Sequence, residues 1–312
     1  MWRSVMNPEL EQRMEAKLKT AVKREDVFAQ IPAKTSRILD IGYGDGGLLL
    51  RLKKEKQCTD LYGVEVNQTS YESMEGLIDG NWSMYLGEDD NHLPEEFNGF
   101  FNYVILHDVL EHIYDPWYFL DYIRRYAAPG CKFILICPNA QYWQTIYALL
   151  QGDFPYGLDG HFNEDHIRWF TPKSMIEMSI MSGMKVNTCH LLLSSRINQE
   201  LANFLEKNKD GKMLPMPPVG MPHQDFTNYF PPIINNVDEN PKVDVLFQGG
   251  NNANLSFYAV KIMLICTLAE QQPVPRLKVG QMRKRRNAFL ENTPNYTDLL
   301  PKDWNAYIWH PG

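Results

Sequence analysis

Apolar runs that end in turn residues recur along the first half of the chain and alternate with stretches of helical pattern. The apolar runs predict strands at RILDIG, LYGVEV, WSMYLG, FNYVILH and KFILICPN, all between residues 37 and 139. Strands that alternate with helices form a parallel sheet with helices on both faces. Right-handed crossovers between such strands place a ligand at their carboxyl ends.

The predicted helices have recognisable start and stop signals. They cover residues 9–23, 46–56, 68–78, 116–130 and 171–183. Pro129-Gly130 is the expected stop signal of the fourth helix. In the last helix, Thr171 is the predicted N-cap, Pro172 lies in the first turn and Gly183 is the predicted C-cap.

The alternation stops after Asn139, and this change divides the chain. Residues 140–170 are rich in aromatic side chains and glycine turns, and we interpret them as a lid over the sheet edge. KVNTCHLLL predicts a further strand, and a proline-rich irregular insertion follows at residues 194–254, where no long regular element is expected. The expected organisation is an N-terminal helical segment at 1–30, a doubly wound, Rossmann-like α/β core at 31–193, the insertion, a final core strand at 255–268 and a tail at 269–312.

Composition narrows the possible partners. The formal net charge of −7 argues against nucleic acid, because surfaces that bind it are usually basic. The five cysteines lack the spacing of zinc ligands, so we predict no metal site and expect free thiols in a reducing, cytoplasmic compartment. The N-terminus lacks the apolar region of a secretory signal, and the longest apolar run, YAVKIMLICTLA, is too short to span a membrane.

A glycine-rich turn follows the first predicted strand and indicates close approach of the backbone to a ligand. Gly42, Gly44 and Gly47 fit the dinucleotide pattern G-x-G-x-x-G, whereas Gly42, Gly44 and Gly46 fit the G-x-G-x-G pattern of methyltransferases. The glycines alone are therefore compatible with both a nicotinamide oxidoreductase and a methyltransferase.

Acids at the strand ends separate the two ligands in part. Asp40, two residues before the turn, would repel a pyrophosphate by about 1–4 kcal/mol at about 4 Å. The same charge would attract S-adenosylmethionine, which carries a sulfonium and an ammonium and no phosphate. Glu65 ends the second strand, where an acid can accept hydrogen bonds from ribose hydroxyls in either class of enzyme. Glu88 or Asp89 is the candidate acceptor for the adenine amine.

Four blocks in the same order resemble class I S-adenosylmethionine-dependent methyltransferases of the group with a VLEH segment and a DHIRxFT box. These blocks are RILDIGYGDGG, LYGVEVN, GEDDNHLPEEFNGFFNYVILHDVLEHIYDPWYFLDYIRRYAAPGCKFILICPN and GDFPYGLDGHFNEDHIRWFTPKSM. The resemblance covers about residues 30–193, with 257–268 as the final strand, and it implies a seven-stranded sheet that ends in an antiparallel hairpin. Tyr43 and Trp169 depart from the residues usual in the group.

The resemblance also implies which residues hold the cofactor, S-adenosylmethionine. Asp40, Gly42, Gly44 and Gly46 would line its methionine part, Glu65 the ribose, and His107 would face the sulfonium. The cofactor-binding set implied by position is Asp40, Gly42, Tyr43, Gly44, Gly46, Glu65, Val66, Glu88, Asp89, His107 and Asp108.

Transfer to a hydroxyl also requires removal of its proton by a base or help from a metal. The candidate catalytic bases are His107 and His166, followed by His161; His112 is interpreted as a brace, and the pair Asp108 and Glu111 as structural. The expected reaction is O-methylation of a sugar, glycan or other small molecule, the substrate class common in the group. An N-methyltransferase, a cofactor-binding module without turnover, an NAD-dependent oxidoreductase and a nucleic-acid methyltransferase are the alternatives, and a homo-oligomer is possible.

Overall fold

The computed structural model describes residues 7–87, 91–150, 152–193 and 259–269. The predicted insertion, the tail beyond Ala269 and the adenine-binding candidates Glu88 and Asp89 lie outside the described residues.

A seven-stranded mixed sheet forms the centre of the fold, as predicted. The strands are β1 Ser36–Ile41, β2 Thr59–Val64, β3 Gly80–Trp82, β4 Phe101–His107, β5 Ala127–Pro138, β6 Met184–Leu193 and β7 Ala259–Leu268. Their spatial order is β3-β2-β1-β4-β5-β7-β6. The first five strands are parallel, whereas β7 runs antiparallel to both β5 and β6. The sheet and its antiparallel C-terminal hairpin confirm the α/β fold class expected from the sequence.

Helices cover both faces of this sheet. They are α1 Pro8–Thr20, α2 Glu25–Gln30, α3 Gly47–Lys56, α4 Gln68–Met74, α5 Pro116–Ile123, α6 Trp143–Leu150 and α7 Pro172–Met181. Neighbouring residues of a strand enter opposite cores, because side chains alternate along a strand. In β4, for example, Val104 packs in the core beneath α5 and α7, while Ile105 packs in the core that contains residues of α1, α2, α3 and α4.

The predicted 116–130 helix is wrong at its C-terminal end. Helix α5 stops at Ile123, a 3-10 turn covers Arg124–Tyr126, and β5 already begins at Ala127. Ala127 pairs with Phe101 of β4, so tertiary pairing overrides the helical preference of the alanines. The positive φ of Gly130, +80°, lies within the strand rather than at a helix end.

Two further differences concern short elements. The third strand lies at Gly80–Trp82, before most of the predicted segment 82–87, because these residues pair with Tyr62–Val64 of β2. Helix α2 was not predicted; its six residues are too few to show a helical period. Helix α7 starts as predicted, with Thr171 and Ser174 forming reciprocal capping hydrogen bonds.

Among the described residues, no helix combines the length and apolar character needed to cross a lipid bilayer.

Candidate active site

The carboxyl ends of β1, β2, β4 and β5 meet at one edge of the sheet. Ile41 pairs with both Val64 and Leu106, and His107 pairs with Ile136, so the residues that follow these strands emerge together. Strand β7 begins at the same edge, where Lys261 pairs with Pro138.

The glycine turn after β1 has the backbone that the sequence pattern requires. Gly42, Gly44 and Gly46 have φ values of +69°, +63° and +74°, a region that favours glycine. A Cβ atom on Gly42 would lie 2.6 Å from Val109 Cγ2, and one on Gly46 would lie 2.2 Å from Met74 Sδ. Any side chain at these two positions would clash with Val109 or Met74, so the packing around the turn requires glycine there.

Asp40 is a fully buried acid beside this turn. Its side chain has no exposed surface, and neither carboxylate oxygen has a hydrogen-bond partner within the described part of the chain. The guanidinium of Arg24 lies 3.8 Å away (Nη1 to Oδ2), which is an ion-pair distance but not a hydrogen bond. Burial raises the pKa of Asp40 to about 7, and Arg24 opposes that rise. This buried carboxylate therefore has a cation nearby but no hydrogen-bond donor among the described residues, and a ligand can supply one.

Glu65 lies just past the end of β2 and links two loops. Its Oε2 accepts a hydrogen bond from Gly44 N at 2.7 Å, and its Oε1 accepts one from Asn67 N at 2.9 Å. Each oxygen keeps a further lone pair, so the carboxylate can also accept a pair of hydroxyl groups. The neighbouring Val66 is exposed.

Tyr43 belongs to the hydrophobic core rather than to the exposed surface of the turn. Its ring is fully buried against Gly63, and its hydroxyl contacts Asn81 Oδ1 at 2.8 Å. The side chain of Tyr43 is therefore not available to a ligand at the turn.

A charged cluster follows the end of β4. His107 lies between two carboxylates, with Nε2 3.6 Å from Asp26 Oδ2 and Nδ1 3.4 Å from Asp108 Oδ2. Asp108, which has a φ of +56°, also contacts the Lys261 ammonium. Burial would raise the pKa of Asp108, but His107 and Lys261 lower it below the ordinary value. The ring therefore has an anionic group at either nitrogen.

The predicted lid contributes the other two candidate bases, and both are engaged with their own segment. His161 Nε2 lies 2.7 Å from Thr145 Oγ1, and burial lowers the pKa of His161 to about 4. His166 Nδ1 contacts the carbonyl oxygen of His161, and burial followed by the charge of His112 lowers its pKa. The segment packs on the 3-10 turn after β4, where Arg168 N donates to the Glu111 carbonyl at 2.9 Å.

Glu111 is a second buried acid near the site. Its side chain is almost fully buried, and among the described residues its carboxylate oxygens have no hydrogen-bond partner other than the weak thiol donor of Cys137. Burial, reinforced by Asp108, raises the pKa of Glu111 to about 8.

Comparison with known proteins decides between the ligand classes that the glycine turn allows. Residues 10–186, more than half of the 312-residue chain, match a family model described as a methyltransferase domain. The chain belongs to this methyltransferase family. It is an S-adenosylmethionine-dependent enzyme, and the nicotinamide alternative is set aside.

Solved structures of similar proteins carry the same description. A methyltransferase from Archaeoglobus fulgidus, described as SAM-dependent, is 14% identical, with 81% of this chain and 93% of that chain covered and a TM-score of 0.46. A S-adenosylmethionine-dependent methyltransferase from Mesorhizobium loti is 12% identical, with 80% and 99% covered and a TM-score of 0.46. Both TM-scores are below 0.5, so membership of the family rests on the domain match.

The residues of the methyltransferase fit this cofactor. The Asp40 carboxylate, which accepts no hydrogen bond within the described part of the chain, matches a ligand that carries positive charge. The free lone pairs of Glu65 match a ribose diol.

Three charged residues at this edge were not predicted as part of the site. Arg24 and Asp26 come from the start of α2, which is distant in sequence from the strand ends. Lys261 is the single charged residue in the mostly apolar run that forms β7. A lone lysine in such a run could have been recognised from the sequence as a candidate site residue.

Proposed function

We propose that the methyltransferase transfers a methyl group to a hydroxyl of a small acceptor, a sugar or glycan being the first class to test. The cofactor supplies a methyl group activated by positive sulfur. The chain's own residues must hold the donor, orient the acceptor and take up the proton that the hydroxyl loses.

We assign binding of the methyl donor, S-adenosylmethionine, to the carboxyl ends of β1 and β2. Asp40 balances the positive charge of the methionine part, the backbone of residues 42–46 lies along it, and Glu65 accepts from the ribose hydroxyls. Val66, Asp108 and the backbone of Tyr43 flank this path. Glu88 and Asp89 keep their proposed role at the adenine.

We assign proton uptake to His107. The position of its imidazole between two carboxylates is the observation that supports O-methylation. Its imidazole stands between Asp26 and Asp108, so either carboxylate can balance the charge that the ring gains with a proton. His161 is a weaker candidate, because a pKa of about 4 makes it a poor base at neutral pH. His166 is also a weaker candidate, because burial and the charge of His112 lower its pKa.

The test is an acceptor screen with isotopically labelled cofactor. Purified protein is incubated with sugars, nucleotide-linked sugars, phenols and amines, and S-adenosylhomocysteine and the labelled product are detected by mass spectrometry and NMR. We expect a labelled O-methyl group. A labelled N-methyl product would replace this proposal with the amine alternative, and cofactor binding without any product across the panel would favour a binding module.

The role of His107 gives a sharper second test. Replacement of His107 by Asn removes the base, and we expect kcat to fall by about 10²–10⁴ while the Kd of S-adenosylhomocysteine changes little. His190→Gln on β6 is the matched control. A fall in cofactor affinity with unchanged kcat would assign His107 to binding alone.

A further inference from the structure

Three potential metal ligands converge beside the end of β4. Glu111 and His112 belong to the 3-10 turn Leu110–His112, and His166 comes from the segment that packs on this turn. One ligand atom from each of the three residues lies within 4.8 Å of the other two. None of the three was predicted as a metal ligand, because they come from two segments more than fifty residues apart.

Both histidine rings are held in one orientation by backbone carbonyls. His112 Nδ1 lies 3.0 Å from the carbonyl oxygen of Asp165, and His166 Nδ1 lies 3.1 Å from that of His161. A carbonyl oxygen only accepts, so the proton of each ring is on Nδ1 and Nε2 carries a lone pair. Metal-bound histidines are oriented by the same kind of contact. The two rings pack edge to face, with their centroids 4.9 Å apart.

Glu111 completes the set with an almost fully buried carboxyl group, near which the thiol of Cys137 is a weak donor. A buried carboxylate beside two imidazole lone pairs is a group of acceptors that a cation, either a proton or a metal ion, stabilises. The buried Glu111 is the independent observation that separates this cluster from a chance grouping of surface residues.

We propose that Glu111, His112 and His166 bind a divalent first-row transition-metal ion. Two imidazoles and one carboxylate are a donor set typical of zinc, iron or manganese rather than calcium, which prefers oxygen alone. Ligands on one such ion lie about 3.4–4.2 Å apart, so ligand atoms within 4.8 Å of one another need to shift by no more than about 1 Å. His112 is exposed and can make that shift. Three protein ligands leave a coordination position open, as in catalytic rather than structural sites.

The site is tested with the full chain by direct metal binding. Protein dialysed against a chelator is titrated with Co²⁺, whose absorption bands report coordination, and then with Zn²⁺ in competition. We expect one equivalent of Co²⁺ to bind and Zn²⁺ to displace it. Glu111→Gln and His112→Ala should each weaken binding at least about tenfold, while His190→Gln, outside the cluster, should bind as the wild type does.

Folding is checked independently of the metal. Circular dichroism and the affinity for S-adenosylhomocysteine should be the same in all variants, and His112→Ala is the safer variant because its side chain is exposed. Absence of a stoichiometric Co²⁺ site in folded wild-type protein would overturn the proposal, as would unchanged binding in the folded Glu111→Gln and His112→Ala variants. Neither result would bear on methyl transfer, because the readout does not use the acceptor.

Discussion

Two acids at the site are buried with few donors around them, and a positively charged ligand is proposed for each. Asp40 faces the glycine turn after β1, and Glu111 faces the imidazoles of His112 and His166. Burial of an unpaired carboxylate is unfavourable, so such a residue is retained at a cost to the stability of the free protein. A positively charged ligand removes this cost when it binds, whereas a neutral or anionic competitor does not. The buried acid therefore makes the site selective for cationic ligands.

The raised pKa of Asp40 predicts a pH dependence of cofactor binding. With a pKa of about 7, the free protein carries Asp40 mostly protonated at pH about 6 and mostly ionised at pH about 8. A cationic ligand favours the ionised form, so binding at the lower pH must release a proton. We expect the Kd of S-adenosylmethionine to be about tenfold weaker at pH 6 than at pH 8, measured by isothermal titration calorimetry.

Asp40→Asn is the matched control for this pH dependence. The amide does not titrate, so the variant should bind more weakly at pH 8 and lose the tenfold change. Any pH dependence that arises from the ligand itself remains in both proteins and cancels in the comparison. Equal pH profiles for the two proteins would contradict the role assigned to Asp40.

Single residues differ in how readily the sequence reveals them. Asp40 and Glu65 follow apolar runs, so their position at the strand ends could be predicted. Arg24 reaches the site from a helix that covers the sheet edge, and no local pattern connects it with Asp40. The convergence of Glu111 with His166 depends on how the lid segment packs, which the sequence pattern does not specify.

At the scale of elements, boundaries follow tertiary pairing more than local preference. The strands of the parallel sheet could be predicted because their apolar runs are buried on both faces. The start of β5 could not, since Ala127 and Ala128 favour a helix locally and only pairing with β4 makes them a strand. The start of α7 has a local cause, the Thr171–Ser174 capping box, and was predicted correctly.

The capping box gives an element-scale prediction. Thr171→Ala removes the side chain that accepts from Ser174 N, and we expect the free energy of unfolding to fall by about 1 kcal/mol. Thr171→Ser keeps the hydroxyl and should retain most of the stability. Thr20→Ala, at the exposed C-terminal end of α1, is the control for loss of a threonine outside a capping box. Urea denaturation measures all three, and equal stability of Thr171→Ala and wild type would refute the contribution of the cap.

At the scale of the whole molecule, the last two strands complete one edge of the sheet and also contribute a charged residue to the site. Strand β7 lies between β5 and β6, although a long stretch of sequence separates it from β6. It also brings Lys261 to Asp108. The site edge therefore depends on β7 being in place, but the structure gives no requirement that the connection to β6 be long, because Leu193 and Ala259 are register partners.

That geometry predicts the result of shortening the connection. Replacement of residues 194–258 by a short turn centred on Asn-Gly should keep the β6–β7 pair, since such turns join antiparallel strands. We expect the shortened protein to bind S-adenosylhomocysteine within about threefold of the wild-type Kd, a difference of less than about 1 kcal/mol, because Asp40, Glu65 and Lys261 all remain. We also expect it to lose transfer to the acceptor found in the screen, because we interpret the proline-rich insertion as a segment packed on or beside the site. Calorimetry and turnover measured side by side on both proteins separate the two effects. Loss of cofactor binding would show that the insertion is part of the core, and full turnover would show that the acceptor site is complete without it.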